Sequence, residues 1–244
     1  MTPGANSAAR IAAARLDWIV PRWPAPDTIE AFVTTRNARD DTGRAMAFDP
    51  GGYALPQDPA AAAAVIADRD RLAGFLPARP CWLEQMHGAE VARFDDSRNA
   101  IHADAAKTRR SWPVPRADGA VTRTRGVVLA IRTADCLPVL LCSRTGTAVG
   151  AAHAGWRGLA AGVVENTLAA LGCNADDVIA WLGPGIGQRA FEVGDEVRDA
   201  FTIRDADAAA AFIAGRAGHW YADLEALARR RLSRAGVDAV YGGG

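Results

Sequence analysis

The strongest constraint on the fold is a pair of motifs, TADCLPVLL at 133–141 and AHAGWRG at 152–158. Apolar runs at 138–142 and 147–152 predict two strands, and the pattern from about Gly158 predicts a helix that ends at Gly172. This order of strand, loop, strand and helix brings Cys136 and His153 to neighbouring strand ends. The sequence therefore predicts that a thiol and an imidazole converge at one edge of a sheet.

A third side chain with metal-binding chemistry lies upstream of these motifs. His87 belongs to WLEQMHG at 82–88, in a turn between a short apolar run and the strand-like residues 90–94. Zinc in catalytic sites keeps three protein ligands and one open position, and imidazole and thiolate both suit it. Each residue alone could serve in the core, but together His87, Cys136 and His153 predict a zinc site. Such a site could supply hydroxide for deamination of a nucleobase.

The same three residues allow a second mechanism that needs no metal. Cys136 would be the nucleophile and one histidine its base, and the spacing leaves this alternative open. Other classes are disfavoured by missing motifs. The sequence lacks the HxE and PCxxC signature of zinc deaminases, and its four histidines are too few for a self-contained multicopper oxidase. The glycine-rich segment GPGIG at 183–187 lacks the spacing of a dinucleotide-binding loop.

Charged residues beside these motifs are candidates for substrate binding. Arg157 lies in the first turn of the helix after His153, where a phosphate could bind, or it could simply pack on Trp156. Arg36 could be a second phosphate ligand or a surface ion pair. Asp135 could orient an imidazole, accept a proton or cap the turn. By contrast, the predicted role of Asp118 is in a turn before a strand.

Charge and composition indicate a small ligand. The chain has 244 residues and zero formal net charge, so no overall field favours nucleic acid or an anionic membrane. No window reaches the roughly 18 apolar residues of a membrane span, and the N-terminus lacks a secretory signal. The four cysteines include no CxxC and favour free thiols. We expect a cytoplasmic protein, and no protein partner is evident from the sequence.

The remaining pattern predicts an α/β fold with sheets covered by helices, in which sites collect at loops after strand ends. We expect a partly ordered N-terminal arm at 1–26 and one catalytic domain at 27–244. Predicted strands are at 28–34, 120–124, 127–132, 178–182 and 237–241. Predicted helices are at 59–76, near 195–201, at 205–215 and at 222–235. A long loop is expected at 37–58 and an exposed insertion at 97–117. Histidines 102 and 219 are expected to lie outside the site.

At these motifs the chain resembles the YfiH-type family, labelled the laccase-domain or polyphenol oxidase family and also described as purine nucleoside phosphorylases. The resemblance covers about residues 29–243 and rests on WLEQMHG, ADG at 117–119, TADCLP at 133–138, HAGWRG at 153–158, WLGPGIG at 181–187 and FEV at 191–193. It implies an α/β/β/α-layered fold and a zinc site made by His87, Cys136 and His153. It further implies phosphorolysis of adenosine, inosine and methylthioadenosine, with some deamination of adenosine.

Two segments depart from the family pattern. Residues 45–52, AMAFDPGG, replace the usual SLNLG-like and GDD-like stretch after Arg36. The family continues past the YGG at 241–243 with a Cys-Thr-Tyr segment, whereas this sequence ends at Gly244, so we expect that tail to be missing.

The leading hypothesis is a zinc-dependent purine nucleoside phosphorylase whose partners are a purine nucleoside and phosphate. The alternatives are a metal-dependent hydrolase that edits cytoplasmic cell-wall precursors, a copper-dependent polyphenol oxidase, and a metal-dependent binding protein without catalysis. The ligand set alone suits zinc and leaves copper open.

Overall fold

The structure is a computed structural model, and it describes residues 6–39, 45–51, 55–95 and 114–243. Most of the predicted insertion at 97–117, including His102, lies outside the described residues. Within the described part of the chain, no helix is both long enough and apolar enough to cross a lipid bilayer.

A six-stranded mixed sheet forms the centre of the protein. Its order is β13-β9-β7-β8-β5-β4, with antiparallel pairs in the middle and a parallel pair at each edge. Because the inner strands are buried on both faces, they are runs of apolar and small residues. The strands are β4 (Val91–Arg93), β5 (Gly119–Thr122), β7 (Leu137–Ser143), β8 (Val149–Ala154), β9 (Val178–Leu182) and β13 (Ala239–Gly242).

Helices cover this sheet and enclose the main core. Helix α4 packs on β5 and β8 and against α6, and its buried residues include Val164 and Leu168. Buried residues of α5 and α6, among them Phe201 and Leu227, join the same core. The helices are α1 (Ser7–Ala13), α2 (Pro59–Ala73), α3 (Trp156–Ala161), α4 (Val163–Leu171), α5 (Asp195–Thr202) and α6 (Leu224–Arg234).

Three smaller sheets surround the centre. A three-stranded antiparallel sheet has the order β10-β12-β11, and two further sheets pair β1 with β2 and β3 with β6. Their strands are β1 (Asn37–Arg39), β2 (Ala45–Ala47), β3 (Pro80–Cys81), β6 (Val128–Leu129), β10 (Glu192–Gly194), β11 (Phe212–Ala214) and β12 (His219–Ala222). Short 3₁₀ helices lie at Ala175–Asp177, Gln188–Ala190 and Ala206–Ala211.

An aromatic cluster packs around Trp18. Phe32 is stacked on Trp18 with ring centroids 5.3 Å apart, and Phe48 and Phe75 approach it at 5.1 and 4.9 Å. Ile11 on α1 belongs to the same buried cluster. Residues before position 26 therefore pack on residues after it, whereas the domain division at that position stays a prediction.

Two N-terminal predictions are wrong. The strand predicted at 28–34 is reduced to a single bridge between Ile19 and Val33. The apolar side chains of this segment pack in a core, as Phe32 does against Trp18, although its backbone does not extend a sheet. The loop predicted at 37–58 contains the β1–β2 pair, in which Asn37 lies opposite Ala47.

Two helix predictions also need correction. The helix predicted from about Gly158 to Leu171 is two helices, because Gly162 adopts a left-handed conformation with φ 100° that no α-helix continues through. The segment predicted to be a helix at 205–215 is a 3₁₀ helix followed by β11. The pairing of β11 with β12 overrides the helical preference of the alanines in this segment. The strand at 178–182 and the end of α4 at Gly172 are confirmed. The α/β fold class is confirmed as well.

Candidate metal centre

The hairpin of β7 and β8 places two candidate ligands side by side. Pro138 lies opposite His153 and Leu137 opposite Ala154 in the antiparallel ladder. Cys136 immediately precedes β7, so its side chain enters the space next to the end of β8. The sequence motif that holds both residues thus brings them together through local pairing.

The turn that carries His87 reaches the same point from another part of the chain. His87 adopts φ 58°, which is uncommon for a residue other than glycine. The ring centroids of His87 and His153 are 4.8 Å apart, with the rings inclined at 76°. His87 is exposed, Cys136 is half-buried and His153 is buried, so one side of the group faces solvent.

The three side chains can hold one metal ion. One ligand atom each from His87, Cys136 and His153 all lie within 4.8 Å of one another. A tetrahedral zinc ion with Zn–N and Zn–S bonds near 2.0–2.3 Å separates its ligands by about 3.3–3.8 Å, so binding would draw the group together by up to about 1.5 Å. Two nitrogens and a sulfur suit zinc, and three ligands leave a position open.

Two glycines allow the chain to approach this group closely. A β-carbon added to Gly155 would lie 2.8 Å from the sulfur of Cys136 and 3.2 Å from Cδ2 of His87. One added to Gly158 would lie 2.7 Å from the carbonyl oxygen of Gly88. The glycines of HAGWRG are therefore required by the approach of α3 to the candidate ligands.

The carboxylate of Asp118 binds directly beside the group. Its Oδ1 is 2.8 Å from Nδ1 of His153, and its two oxygens accept hydrogen bonds from the backbone N–H groups of Met86, His87 and Gly88. The backbone carbonyl of Asp118 also accepts a hydrogen bond from the N–H of His153. The sequence predicts only a role in a turn for Asp118, and this prediction does not include its hydrogen bonds to two candidate ligands, His153 and His87.

Burial and hydrogen bonding shift the ionisation of these groups. Burial acts to raise the pKa of Asp118, but the hydrogen bonds from His153 and the three backbone N–H groups outweigh it, and the pKa lies below its usual value. Burial lowers the pKa of His153, although Asp118 acts in the opposite direction. Burial, together with the charges of Asp135 and Asp118, raises the pKa of the Cys136 thiol. A bound cation would favour the thiolate.

Orienting an imidazole is one of three roles that the sequence leaves open for Asp135, and the partner of His153 is a different carboxylate. The side chain of Asp135 is exposed, and the imidazole of His153 is held by Asp118 instead. The backbone of Asp135 has a structural role, because its carbonyl accepts a hydrogen bond from Ile186 N–H at 2.7 Å. The segment GPGIG thus packs against the Cys136 turn, and a β-carbon on Gly185 would lie 3.3 Å from Cα of Leu137.

The two arginines predicted to bind phosphate occupy different surroundings. The guanidinium of Arg157 lies 4.4 Å from the ring centroid of Trp156, which is the packing pair considered from the sequence. Arg36 is exposed and makes no ion pair with another described residue. Within the described residues, neither arginine side chain forms a hydrogen bond or ion pair with a candidate ligand, and their roles toward phosphate stay predictions.

An open cavity of about 370 Å³ lies where α3 begins. Trp156 and Arg157, which follow Gly155 directly, form one wall. The opposite wall comes from residues around β10 and β12, including Phe191, Glu192, Arg216 and His219. His219 Nδ1 is 3.4 Å from Oε1 of Glu192. This volume falls in the range of small-molecule sites, and the lining combines aromatic faces with both signs of charge.

Fold and site together define an α/β protein with an open, two-histidine, one-cysteine candidate metal centre at the end of a buried hairpin. The chain belongs to the family described as multi-copper polyphenol oxidoreductase laccase, which matches residues 30–244.

Relatives within this family carry a different activity in their names. A Pseudomonas aeruginosa protein named purine nucleoside phosphorylase is 46% identical over 228 residues, which cover 93% of this chain and 86% of the relative. The Escherichia coli purine nucleoside phosphorylase YfiH is 44% identical over 236 residues, with 92% and 86% covered.

A solved structure supports the fold. The crystal structure of the Neisseria meningitidis protein NMB0706 superposes with a TM-score of 0.79 at 40% identity, covering 93% of this chain and 87% of that protein. The membership in the YfiH-type family expected from the sequence motifs is thereby confirmed.

Proposed function

We propose that the protein is a zinc-dependent purine nucleoside phosphorylase that acts on adenosine, inosine and methylthioadenosine, with deamination of adenosine as a side activity. The observation that carries this proposal is the convergence of His87, Cys136 and His153 in a chain 46% identical to a protein named purine nucleoside phosphorylase. We further propose a cytoplasmic location, because none of the four cysteines, all within the described residues, forms a disulfide, as suits a reducing compartment.

The reaction joins phosphate to the sugar. An oxygen of phosphate forms a bond to C1′ of ribose while the bond from C1′ to N9 of the purine breaks, and the purine leaves with the electron pair and takes up a proton. The products from adenosine and inosine are ribose 1-phosphate and the free base, and methylthioadenosine gives the corresponding methylthioribose 1-phosphate. In this proposal Arg157, which lines the cavity at the start of α3, binds phosphate, and Arg36 is the second candidate.

The candidate ligands would hold a zinc ion, which is the Lewis acid of the proposed site. When bound, zinc supplies the acidity that makes water a nucleophile at neutral pH, which deamination requires. His87 and His153 would hold the ion through ring nitrogen and Cys136 through sulfur, while exposed Asp135 is the proposed proton acceptor beside them. Gly155 contributes by leaving the space next to the sulfur free of a side chain.

The copper-dependent phenol oxidation suggested by the family's name fits the chain less well. The whole sequence has four histidines, and two of them supply this one group. A multicopper cluster needs more ligands than remain. The donor set instead matches one zinc ion with an open position.

The test measures release of hypoxanthine from inosine with and without phosphate, using the wild-type protein and a Cys136→Ser variant. We expect release to require phosphate and to be lost in Cys136→Ser. Cys173→Ser is the matched control, because Cys173 is also half-buried but lies outside the three-residue group, and it should retain activity.

Two results would contradict the proposal. Release that is independent of phosphate would indicate a hydrolase, and full activity in Cys136→Ser would exclude the proposed site. Arg157→Gln should raise the KM for phosphate more than the KM for inosine. An unchanged KM for phosphate would move the phosphate role away from Arg157 and towards Arg36.

A further inference from the structure

A single buried carboxylate connects two of the three candidate ligands. Asp118 is 0% exposed, and Oδ1 lies 2.8 Å from Nδ1 of His153 and 3.0 Å from the backbone N of His87. Oδ2 accepts hydrogen bonds from the backbone N–H groups of Met86 at 3.0 Å and Gly88 at 2.7 Å. Four donors therefore converge on the two oxygens, which fills the acceptor capacity of a carboxylate.

This arrangement determines how His153 can bind a metal. An ionised carboxylate has no proton to donate, so Nδ1 of His153 must carry the hydrogen that lies between the two groups. The lone pair of the neutral ring is then on Nε2, which is the remaining atom able to bind a cation. The ring is also held in one orientation, since Nδ1 cannot turn away without breaking a buried hydrogen bond.

The same carboxylate holds the backbone of the turn that carries His87. Three consecutive N–H groups, from Met86 to Gly88, point at one anion, and His87 keeps φ 58° between them. A residue other than glycine persists in this strained region where its surroundings enforce it. The hydrogen bonds of the turn to Asp118 enforce it here.

We propose that Asp118 is a positioning residue that prepares the metal centre, by presenting Nε2 of His153 and by fixing the turn of His87 towards the same point. The proposal rests on the metal centre of the proposed function and adds a residue for which the sequence predicted only a role in a turn.

The first experiment compares zinc affinity in Asp118→Asn and in wild-type protein by competition with a chromogenic chelator. The amide is isosteric but keeps one acceptor oxygen, so an NH₂ group must face two of the four donors. We expect zinc binding to weaken by about 10- to 100-fold, as is typical when the partner of a metal-binding histidine is removed.

Asp95→Asn is the matched control. Asp95 also accepts a backbone hydrogen bond, from Arg123 at 2.6 Å, and a side-chain hydrogen bond from Arg93, but it lies beyond the other end of β5. Its zinc affinity should stay within about twofold of wild type. Circular dichroism of the metal-free proteins establishes that both variants are folded. Equal weakening in both variants would show a general effect of lost stability and overturn the proposal.

Different results of the zinc titrations would refute the metal centre and the positioning role of Asp118. Wild-type protein that binds no zinc refutes the metal centre itself. Wild-type protein that binds zinc with the same affinity as folded Asp118→Asn refutes the positioning role alone. A double-mutant cycle with His153→Ala adds a readout that a purely structural role would not move. The effect of Asp118→Asn should shrink when His153 is absent, and full additivity would contradict the proposal.

If Asp118→Asn does not fold, a measurement on the wild-type protein tests the positioning role instead. Histidine-selective ¹⁵N NMR distinguishes a ring nitrogen that carries a proton from one that binds metal. In the zinc-loaded protein we expect Nδ1 of His153 to keep its proton and Nε2 to show the shift of a metal ligand. Zinc found on Nδ1 would overturn the proposal, because that atom could not then donate to Asp118.

Discussion

Gly155 and Cys136 lie so close that a β-carbon built on the glycine would be 2.8 Å from the sulfur. Real side chains essentially never make such a contact, so a methyl group there must displace the Cys136 side chain or the start of α3. A metal ion between Cys136 and the two histidines tolerates little displacement, because its bonds have fixed lengths.

Gly155→Ala should therefore weaken zinc binding by about tenfold or more, the scale of effects seen when the surroundings of metal ligands change. Gly187→Ala is the matched control, since a β-carbon at Gly187 meets nothing within 4 Å and its φ of −72° suits any residue. Zinc titration of both variants checks the prediction. Unchanged affinity in Gly155→Ala would contradict the prediction and would show that the start of α3 can move without disturbing zinc binding.

Removal of zinc should lower thermal stability. A ligand present at 100 times its Kd stabilises the native state by about 2.7 kcal/mol. For a chain of 244 residues this corresponds to a rise in Tm of roughly 5–10 °C. Differential scanning fluorimetry with excess zinc and after chelation measures the shift. Cys136→Ser should lose the shift and Cys173→Ser should keep it, whereas a shift retained in Cys136→Ser would place zinc elsewhere.

The parts of the site that sequence could predict are those formed by local pairing. Cys136 and His153 are joined by one hairpin, so a pattern of two strands and a loop was sufficient to bring them together. His87 was found by its residue type and its position in a turn next to a predicted strand. Its distance from the other two could come only from the fold or from the family resemblance.

Asp118 could not be found in this way, because its contacts are long-range and mostly with backbone. His153 is 35 residues away in sequence. The other donors are backbone N–H groups of Met86, His87 and Gly88, and the residue types at these positions do not indicate such contacts. An Asp-Gly pair before a strand has a common local explanation as a turn. Gly162 was missed for a related reason, since a glycine inside an apolar helical pattern is often tolerated.

Leu159 should stabilise the packing of helix α3 against the core. This residue is 0% exposed, and α3 begins directly after Gly155 beside the candidate ligands. Leu159→Ala should lower the free energy of unfolding by about 2–5 kcal/mol, through lost burial and the cavity that remains. Ile203→Ala is the control, because Ile203 is 82% exposed, and it should change stability by no more than about 0.5 kcal/mol. Urea unfolding measures both, and similar losses in the two variants would contradict the described core.

The four cysteines, none of which forms a disulfide in the described structure, should differ in reactivity towards iodoacetamide. Burial raises the pKa of Cys81 and of Cys142 to about 11, so at pH 8 only about one thiol in a thousand is the reactive thiolate, and both side chains are also sealed from solvent. In the native metal-free protein, labelling should be confined to the half-buried Cys136 and Cys173. Zinc should then protect Cys136 and leave Cys173 unaffected, because a metal-bound sulfur is a poorer nucleophile. Peptide mapping by mass spectrometry reads each site separately. Protection of Cys173, or labelling of Cys142 as fast as Cys173, would contradict the placement of these thiols.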